Sequence, residues 1–359
     1  MNLIYDLSFN DLENYLVEKG LKPYRAKQVF KWLYEKRVKS FESMSDISKD
    51  LKEELNKDFY FYELKEIKRQ ESKDGTIKFL FELNDGALIE SVLMVFDYGY
   101  SACISSQVGC NMGCKFCASG LLKKQRDLSA GEIVLQVLCI QRYLDTKDSR
   151  LDNIVVMGTG EPFDNYDNLM KALSIINNPH GLEIGARHIS ISTCGLVPGI
   201  RRFANEKVQY NLAVSLHAAN DELRSELMPI NMAYNLKELM DAISYYSELN
   251  NRRITFEYLL IAGLNNSSKD ADDLKKYLQG KNAYINLIPY NEVKENPYRS
   301  TTPEETLEFY DLLKKRGIAV TLRQKRGDDI DAACGQLRAK EILNDWILCD
   351  EWCWLKKAS

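Results

Sequence analysis

Three rhythms of apolar and polar positions succeed one another along the chain. Residues 1–60 keep helical spacing. Ser8 and Asp11 fit a capping box, Leu12 and Leu16 share a face, and Gly20 can close the helix. Pro23 opens a second helix with Ala26, Val29, Phe30 and Leu33 on its apolar side. Ile47, Leu51 and Leu55 recur at spacing four in a third. Residues 61–100 shift to strand-like runs. "TIKFLFEL" and "ALIESVLMVF" flank "NDG", which predicts a hairpin. From about residue 101, strands alternate with helices. Strands are expected at 101–106, 153–157, 187–193, 210–216, 253–261 and 283–288. Helical patterns lie between them, for example at 236–249, and a helix at 303–316 leads to a seventh strand at 318–323.

Six strand–helix units with short loops predict an α/β fold, a parallel sheet with helices outside. Right-handed crossovers roll such a sheet into a partial (β/α)6 barrel. The expected organisation is an N-terminal helical accessory domain at 1–60, a β-hairpin linker at 61–100, the barrel at 101–340 and a helical tail at 341–359. In barrels of this kind chemistry gathers at the carboxyl ends of the strands. The unusual residues of this chain fall there. Cys110, Cys114 and Cys117 follow the first strand, and "GTGEP" (158–162) ends the second. Ser192 ends the third, Ser215, Leu216 and His217 the fourth, Asn291 follows the sixth and Cys334 the seventh.

Composition narrows the class. Of 359 residues, 45% are apolar and 28% charged, as in a globular protein. No apolar run approaches the ~18–20 residues of a membrane helix, and the N-terminus has no signal-peptide pattern. A cytoplasmic setting is expected, where nine cysteines argue for metal binding or catalysis rather than disulfides. The net charge of −4 gives no global attraction to nucleic acid. Residues 22–39, however, carry seven basic side chains against one acidic, interleaved with Tyr24, Phe30, Trp32 and Tyr34. Basic groups meet phosphates and aromatic faces stack on bases, so this stripe is a candidate RNA contact.

Three clustered thiolates are one too few for a closed zinc site. Four cysteines are the usual complement of a [4Fe–4S] cluster, so three leave one iron open to a small molecule. A zinc site completed by a distant His or Cys is the bland alternative. The glycines of "GTGEP" permit a close backbone approach, and Glu161 after Gly160 can accept hydrogen bonds from an ammonium. Cys139 and Cys194 read as small buried hydrophobes. Cys334, in "RGDDIDAACGQL", has small and polar neighbours instead.

The C-x3-C-x2-C spacing, with Phe116 before the last cysteine, resembles the signature of radical S-adenosylmethionine (SAM) enzymes. Together with "SSQVGC", "GEP", "SLHA", "PIN", "NLIPYN" and above all "RGDDIDAACGQL", it makes the chain similar to the RlmN branch of the RlmN/Cfr family from about residue 8 to 340. "YRAKQVFKWLYEKRVKSFESMSDI" resembles that family's accessory domain. The resemblance implies a radical SAM methyltransferase acting on C2 of adenine 2503 in 23S rRNA, and in some members on adenine 37 of tRNA. It implies a [4Fe–4S] cluster on Cys110, Cys114 and Cys117, and two SAM per turnover. SAM would be bound by Gly160, Glu161, Ser192, Ser215, Leu216, His217 and Asn291. Cys334 would be the methyl carrier, Cys103 would release the RNA adduct through a transient disulfide with Cys334, and Glu90 would accept a proton. On pattern alone Glu90 is a solvent-facing strand residue. A cytosolic electron donor and a monomer are further expectations. The rival within the chemistry is C8 methylation of the same adenine, as in the Cfr branch. The rival outside it is a zinc-stabilised RNA-binding protein, which would be colourless where an iron–sulfur protein is brown. The tail with Cys349 and Cys353 at i, i+4 departs from the pattern. It is expected to pack on the barrel, since two cysteines do not close a metal site.

Overall fold

Alternating apolar and polar positions build one sheet. The computed structural model describes residues 1–359 apart from 122, 293–295, 325, 328, 332–335, 339–340 and 342–359. Strands β1 (Lys65–Glu71), β2 (Ile77–Glu82) and β3 (Leu88–Phe96) form an antiparallel meander. β4 (Gly99–Cys103) pairs antiparallel with β3 and parallel with β5 (Leu151–Val156). β6 (Ile189–Thr193), β7 (Asn211–Ser215), β8 (Ile254–Leu260), β9 (Ala283–Pro289) and β10 (Val320–Leu322) continue in parallel, so strand order follows chain order. β6 starts later than the pattern suggests because Ala186–His188 form a 3-10 turn.

The N-terminal helices are α1 (Phe9–Glu18), α2 (Tyr24–Tyr34) and α3 (Lys49–Asp58). The crossovers carry α4 (Ala130–Asp145), α5 (Tyr166–Asn177), α6 (Val197–Ala204), α7 (Asp221–Leu227), α8 (Leu236–Asn250), α9 (Ser268–Leu278) and α10 (Pro303–Lys315). α1, α4, α8, α9 and α10 each open with a reciprocal capping box, Ser8/Asp11 in α1 and Ser129/Glu132 in α4 among them. Such a cap contributes about 1 kcal/mol and sets where the helix starts. One apolar core runs from Phe30 and Leu51 through Phe79 and Ile133 to Leu287 and Phe309, joining the N-terminal helices, the meander and the parallel strands. No described helix is long and apolar enough to cross a membrane.

The last turn of chain reveals the curvature. β10 ends at Leu322, and five residues later the Gly327 amide donates to Asp74 Oδ2 at 2.9 Å, in the turn between β1 and β2. Arg326 lies over the Phe96 ring of β3, 5.2 Å from its centroid. Five residues span at most about 18 Å. In a flat sheet with strands ~4.8 Å apart, β10 and β2 would stand roughly 40 Å from each other. The sheet is therefore curled into a partial barrel, and Arg326, Gly327 and Asp329 lie across its open side, against the β1–β2 turn and β3. Helices cover the outer face: Ser91 Oγ on β3 donates to Gln136 of α4 at 2.9 Å. By strand alternation Glu90 and Val92 point to the concave face, and so does Cys103, which pairs with Val92. On β6, Ile189 and Ile191 are fully buried, while Ser190 and Ser192 line the concave side.

Candidate active site

The cysteine loop leaves the carboxyl end of β4. It is held by backbone bonds, with the Cys117 amide donating to Cys114 O (3.1 Å) and the Lys115 amide to Leu227 O (3.0 Å). Cys114, Phe116 and Met112 pack on a small apolar patch of Ala118, Cys194, Leu227, Met228, Ile261 and Tyr290. Burial pushes the Cys110 thiol up to about 11 and raises Cys114 further, and the three cysteines lie within electrostatic reach of one another. Among the described residues no three His, Cys, Asp or Glu side chains are arranged to hold a single metal ion. A zinc ion would gather its sulfurs at ~2.3 Å from one centre. A [4Fe–4S] cluster takes each thiolate on a different iron, and three thiolates are what Cys110, Cys114 and Cys117 can offer it. The surroundings suit it too. The fully buried guanidinium of Arg224 acts on Cys114 and complements the negative charge that three thiolates would bring.

Glycines in "GTGEP" serve the chain's own packing. A Cβ on Gly158 would meet Ile104 and Ser105 backbone at 2.7–2.8 Å, and one on Gly160, at φ 114°, would meet Gln107 and Ser106 at 2.7 Å. These glycines pack closely on the residues that follow β4 and precede the cysteine loop. Glu161 follows, 2% exposed. Its Oε1 accepts the Phe163 amide (3.1 Å) and its Oε2 the Cys194 amide (2.8 Å). Burial raises its pKa, and these backbone bonds oppose the rise.

Cys194 is more than the buried hydrophobe expected from sequence. Its amide holds Glu161, and its carbonyl accepts Arg224 Nη2 at 2.8 Å. Arg224 also donates to Ser215 O (3.2 Å), Leu216 O (3.2 Å) and Asn231 Oδ1 (2.8 Å). It thus bolts the ends of β6 and β7 together beside the cysteine loop. Nothing in "NDELRSEL" separates this Arg from a solvated helical one, because the signal is its burial.

Ser192 and Ser215 are half-buried on the concave face, and Leu216 is fully buried. His217 has a left-handed backbone (φ 57°) and its Nδ1 accepts the Leu259 amide at 3.0 Å. The ring proton is therefore on Nε2. Phe116 meets the ring edge-on, 4.7 Å between centroids. Burial, then the Arg224 charge, lower the His217 pKa to about 3, so the ring is neutral. Asn291 is exposed beyond β9, apart from these buried groups. Glu257 was missed by sequence reasoning. It pairs in register with Ser215, its Oε2 accepts Asn286 Nδ2 at 2.9 Å, and burial raises its pKa. A charged residue in an apolar run, "ITFEYLL", was its only signal.

Glu90 is a correction to the pattern-based reading. It is 4% exposed, and its Oε2 pairs with the fully buried Lys78 ammonium at 3.0 Å. Its Oε1 accepts the Arg338 amide at 2.6 Å. Cys103, also buried, is one strand away on the same face. Cys334, Cys349 and Cys353 lie outside the described residues. The basic stripe is narrower than the sequence suggests. Phe30 and Tyr34 are core, Trp32 donates to Asp46, Arg37 is paired with Asp145 at 2.6 Å and Lys39 with Glu63 at 2.6 Å. Tyr24 is half-exposed with Arg25 stacked 5.0 Å from its ring centroid.

Comparison with known proteins bears on this geometry. Residues 1–60 match the ribosomal RNA large subunit methyltransferase N-terminal domain, and residues 104–275 match the radical SAM superfamily. The chain is 54% identical over 338 residues to a probable dual-specificity RNA methyltransferase RlmN of Staphylococcus carnosus, covering 94% of this chain and 93% of that one. Its counterpart in Staphylococcus aureus strain JH9 shows the same identity and coverage. A crystal structure of a radical SAM methyltransferase from Sphaerobacter thermophilus superposes with a TM-score of 0.89 at 42% identity, covering 94% of this chain and 99% of that one.

Proposed function

The chain belongs to the RlmN family of radical SAM RNA methyltransferases, and from that membership we propose that it methylates C2 of adenine 2503 in 23S rRNA, and of adenine 37 in tRNA, with Cys334 as methyl carrier. One observation carries the reading onto this chain's own residues. Glu90 holds the Arg338 amide at 2.6 Å, four residues past Cys334, one strand from Cys103. Glu90, Cys103 and the Arg338 amide thereby lie along one wall of the barrel, which supports roles for Glu90 and Cys103 beside a carrier four residues before Arg338.

Each residue has a task. Cys110, Cys114 and Cys117 would hold a [4Fe–4S] cluster. When bound, the cluster supplies the electron that cleaves a chelated SAM to a 5′-deoxyadenosyl radical. Glu161 has carboxylate lone pairs beyond those used by Phe163 and Cys194, and with Gly160 it would receive the ammonium of SAM. Ser192, Ser215, Leu216, His217 and Asn291 would line the remainder of the cofactor, with neutral His217 presenting an Nε2 donor. The Cys334 thiolate would take a methyl group from one SAM, and a second SAM would be spent on removing one hydrogen atom from it. The methylene carbon left on Cys334 would bond to adenine C2, Glu90 would accept the C2 proton, and the surplus electron would return to the cofactor site. Cys103 would then attack the Cys334 sulfur, breaking the bond to the RNA-linked carbon and forming a Cys103–Cys334 disulfide that a reductant opens, while that carbon takes a proton from solvent to become the methyl group. Exposed Tyr24 and half-buried Arg25 on α2 would meet RNA. The protein would act in the cytoplasm as a monomer, with a cytosolic electron donor.

The test is the Cys103→Ala variant isolated from cells. It should keep its cluster, methylate Cys334 and stall as a covalent protein–RNA species on a denaturing gel, sensitive to ribonuclease and resistant to reductant. Cys103→Ala/Cys334→Ala should lose the species. A Cys103→Ala protein that turns over with no adduct would remove Cys103 from the mechanism.

A further inference from the structure

Four features of the segment that crosses the open side of the barrel point one way. The Gly327 amide donates to Asp74 Oδ2 at 2.9 Å. Asp329 accepts from the Ser72 hydroxyl and from the Lys73 amide, the latter at 3.2 Å. Asp331 donates its amide to Gln70 Oε1 (3.0 Å) and takes Gln70 Nε2 on Oδ2 (3.1 Å). Its carbonyl accepts the Lys78 ammonium at 2.6 Å. Gly327, Asp329 and Asp331 of "RGDDID" are thus each engaged by the β1–β2 hairpin or its strands. On the other side of Cys334, the Arg338 amide reaches Glu90 at 2.6 Å, and Glu90 is the ion-pair partner of Lys78 at 3.0 Å.

We propose that Lys78 is a positioning residue for the methyl carrier: one buried ion pair, Lys78–Glu90, fixes the chain at both Asp331 and Arg338 and so sets where the intervening Cys334 is delivered. This rests on the methyl-carrier reading of Cys334. The physical case is the cost of the pair. A fully buried ammonium is expensive unless paired and hydrogen-bonded. Lys78 is 0% exposed and Glu90 4%, and a packed hydrophobic pair of similar volume would often do as well for stability alone. What a hydrophobic pair could not do is hold a carbonyl on one side and an amide on the other. Side-chain alternation also directs it. Lys78 pairs in register with Val92, and Val92 with Cys103, so all three share the concave face. The clamp and the releasing thiol are therefore neighbours on one surface.

The consequence is a division of labour. Cofactor cleavage depends on groups past the carboxyl ends of β5, β6 and β7, around Glu161, Cys194 and Arg224. Carrier delivery depends on Lys78. Misplacing a reacting group by about 1 Å can cost ~100-fold. The experiment compares reconstituted wild type, Lys78→Met, Lys78→Arg, Lys78→Met/Glu90→Gln and Gln70→Ala. Three outputs are measured: iron content with 5′-deoxyadenosine release, the mass of the Cys334 peptide, and methyladenine in 23S rRNA from a strain lacking the activity. Hydrogen exchange of a peptide spanning 326–338 is the readout independent of activity.

Lys78→Met should keep iron and 5′-deoxyadenosine within about threefold, lose methylated product about 100-fold, and exchange 326–338 faster with α5 unchanged. Lys78→Arg should recover most of the product. The double variant removes the stranded carboxylate, so it should keep fold, cluster and cofactor cleavage; its product is not compared, because Glu90 is itself the proton acceptor. Gln70→Ala, which strands no charge, should uncouple by about tenfold, because two of the anchoring bonds go. The proposal is overturned if Lys78→Met makes product within threefold of wild type. It is overturned equally if cluster and cleavage fall in the double variant and Gln70→Ala stays coupled. If the wild-type Cys334 peptide never carries a methyl group, the methyl-carrier reading fails. Unchanged exchange of 326–338 would sink the clamp itself.

Discussion

Replacing Arg224 by Met tests whether the buried guanidinium holds the barrel mouth together. Met keeps the length and apolar stem and removes five donors. Cys194 O and Asn231 Oδ1, each 2.8 Å from a guanidinium nitrogen, lose a charge-assisted bond. Ser215 O and Leu216 O lose longer ones, at 3.2 Å, and Leu216 O keeps the Ala218 amide at 2.7 Å. Two stranded buried acceptors at ~1–3 kcal/mol each, with smaller losses at the other two, exceed the relief from no longer burying a cation. The expected cost is about 3–5 kcal/mol. With a urea slope of about 3 kcal/mol/M, the midpoint should fall by roughly 1–1.7 M. Lys in its place supplies a point charge without the fork and should recover less than half of the loss. The Cys194 amide that holds Glu161 sits on the same bolted turn, so SAM affinity should fall in Arg224→Lys as well. Urea unfolding followed by circular dichroism, with SAM binding by calorimetry, checks both. A Met variant within 1 kcal/mol of wild type, with unchanged SAM affinity, would refute the argument.

Three more expectations follow from the same geometry. His217, lowered from 6.5 to about 3 by burial, must be neutral in the fold, so its contribution is complete above pH 6.5 and lost as pH falls toward 3; His217→Asn should flatten that part of the melting-temperature profile, and an unchanged slope would contradict the burial. Glu257 has a raised pKa, so its burial costs stability as pH rises past its ordinary 4.5. Glu257→Gln should therefore melt higher than wild type at pH 8 with the gain shrinking toward pH 4.5, and a gain independent of pH would disprove the cause. Changing Cys110, Cys114 or Cys117 to Ala should abolish the brown colour and SAM cleavage of anaerobic protein, whereas Cys139→Ala, on α4 far from the loop, should retain both.

Most of the fold could be read from periodicity. The alternation in "RHISIST" placed a strand whose serines face the concave side, and Ser8 with Asp11 marked the first helix where it begins. The cysteine triplet was legible because its spacing is local. What sequence could not show depends on burial and on contacts between distant segments. Glu90 in "ALIESVLM" looks like an outward strand residue until Lys78 is found 3.0 Å away from it. Arg224 and Cys194 have unremarkable neighbours, and only the curled sheet brings them together. The glycines of "GTGEP" also serve a contact that the sequence does not show, since backbone of Ile104 and Ser105 lies against Gly158 and side chains of Ser106 and Gln107 against Gly160. Phe30 and Tyr34 show the reverse error, where aromatic residues in a basic stretch are core side chains of α2.

The central claim is that the chain methylates an adenine of RNA at C2. Its direct measurement is chromatography with mass spectrometry of nucleosides from 23S rRNA and tRNA, comparing a deletion strain with the same strain carrying the wild-type gene or Cys334→Ala. The account predicts 2-methyladenosine at position 2503 and at tRNA position 37 with the wild-type gene alone. A dominant 8-methyladenosine, or 2-methyladenosine made equally well by Cys334→Ala, would contradict it.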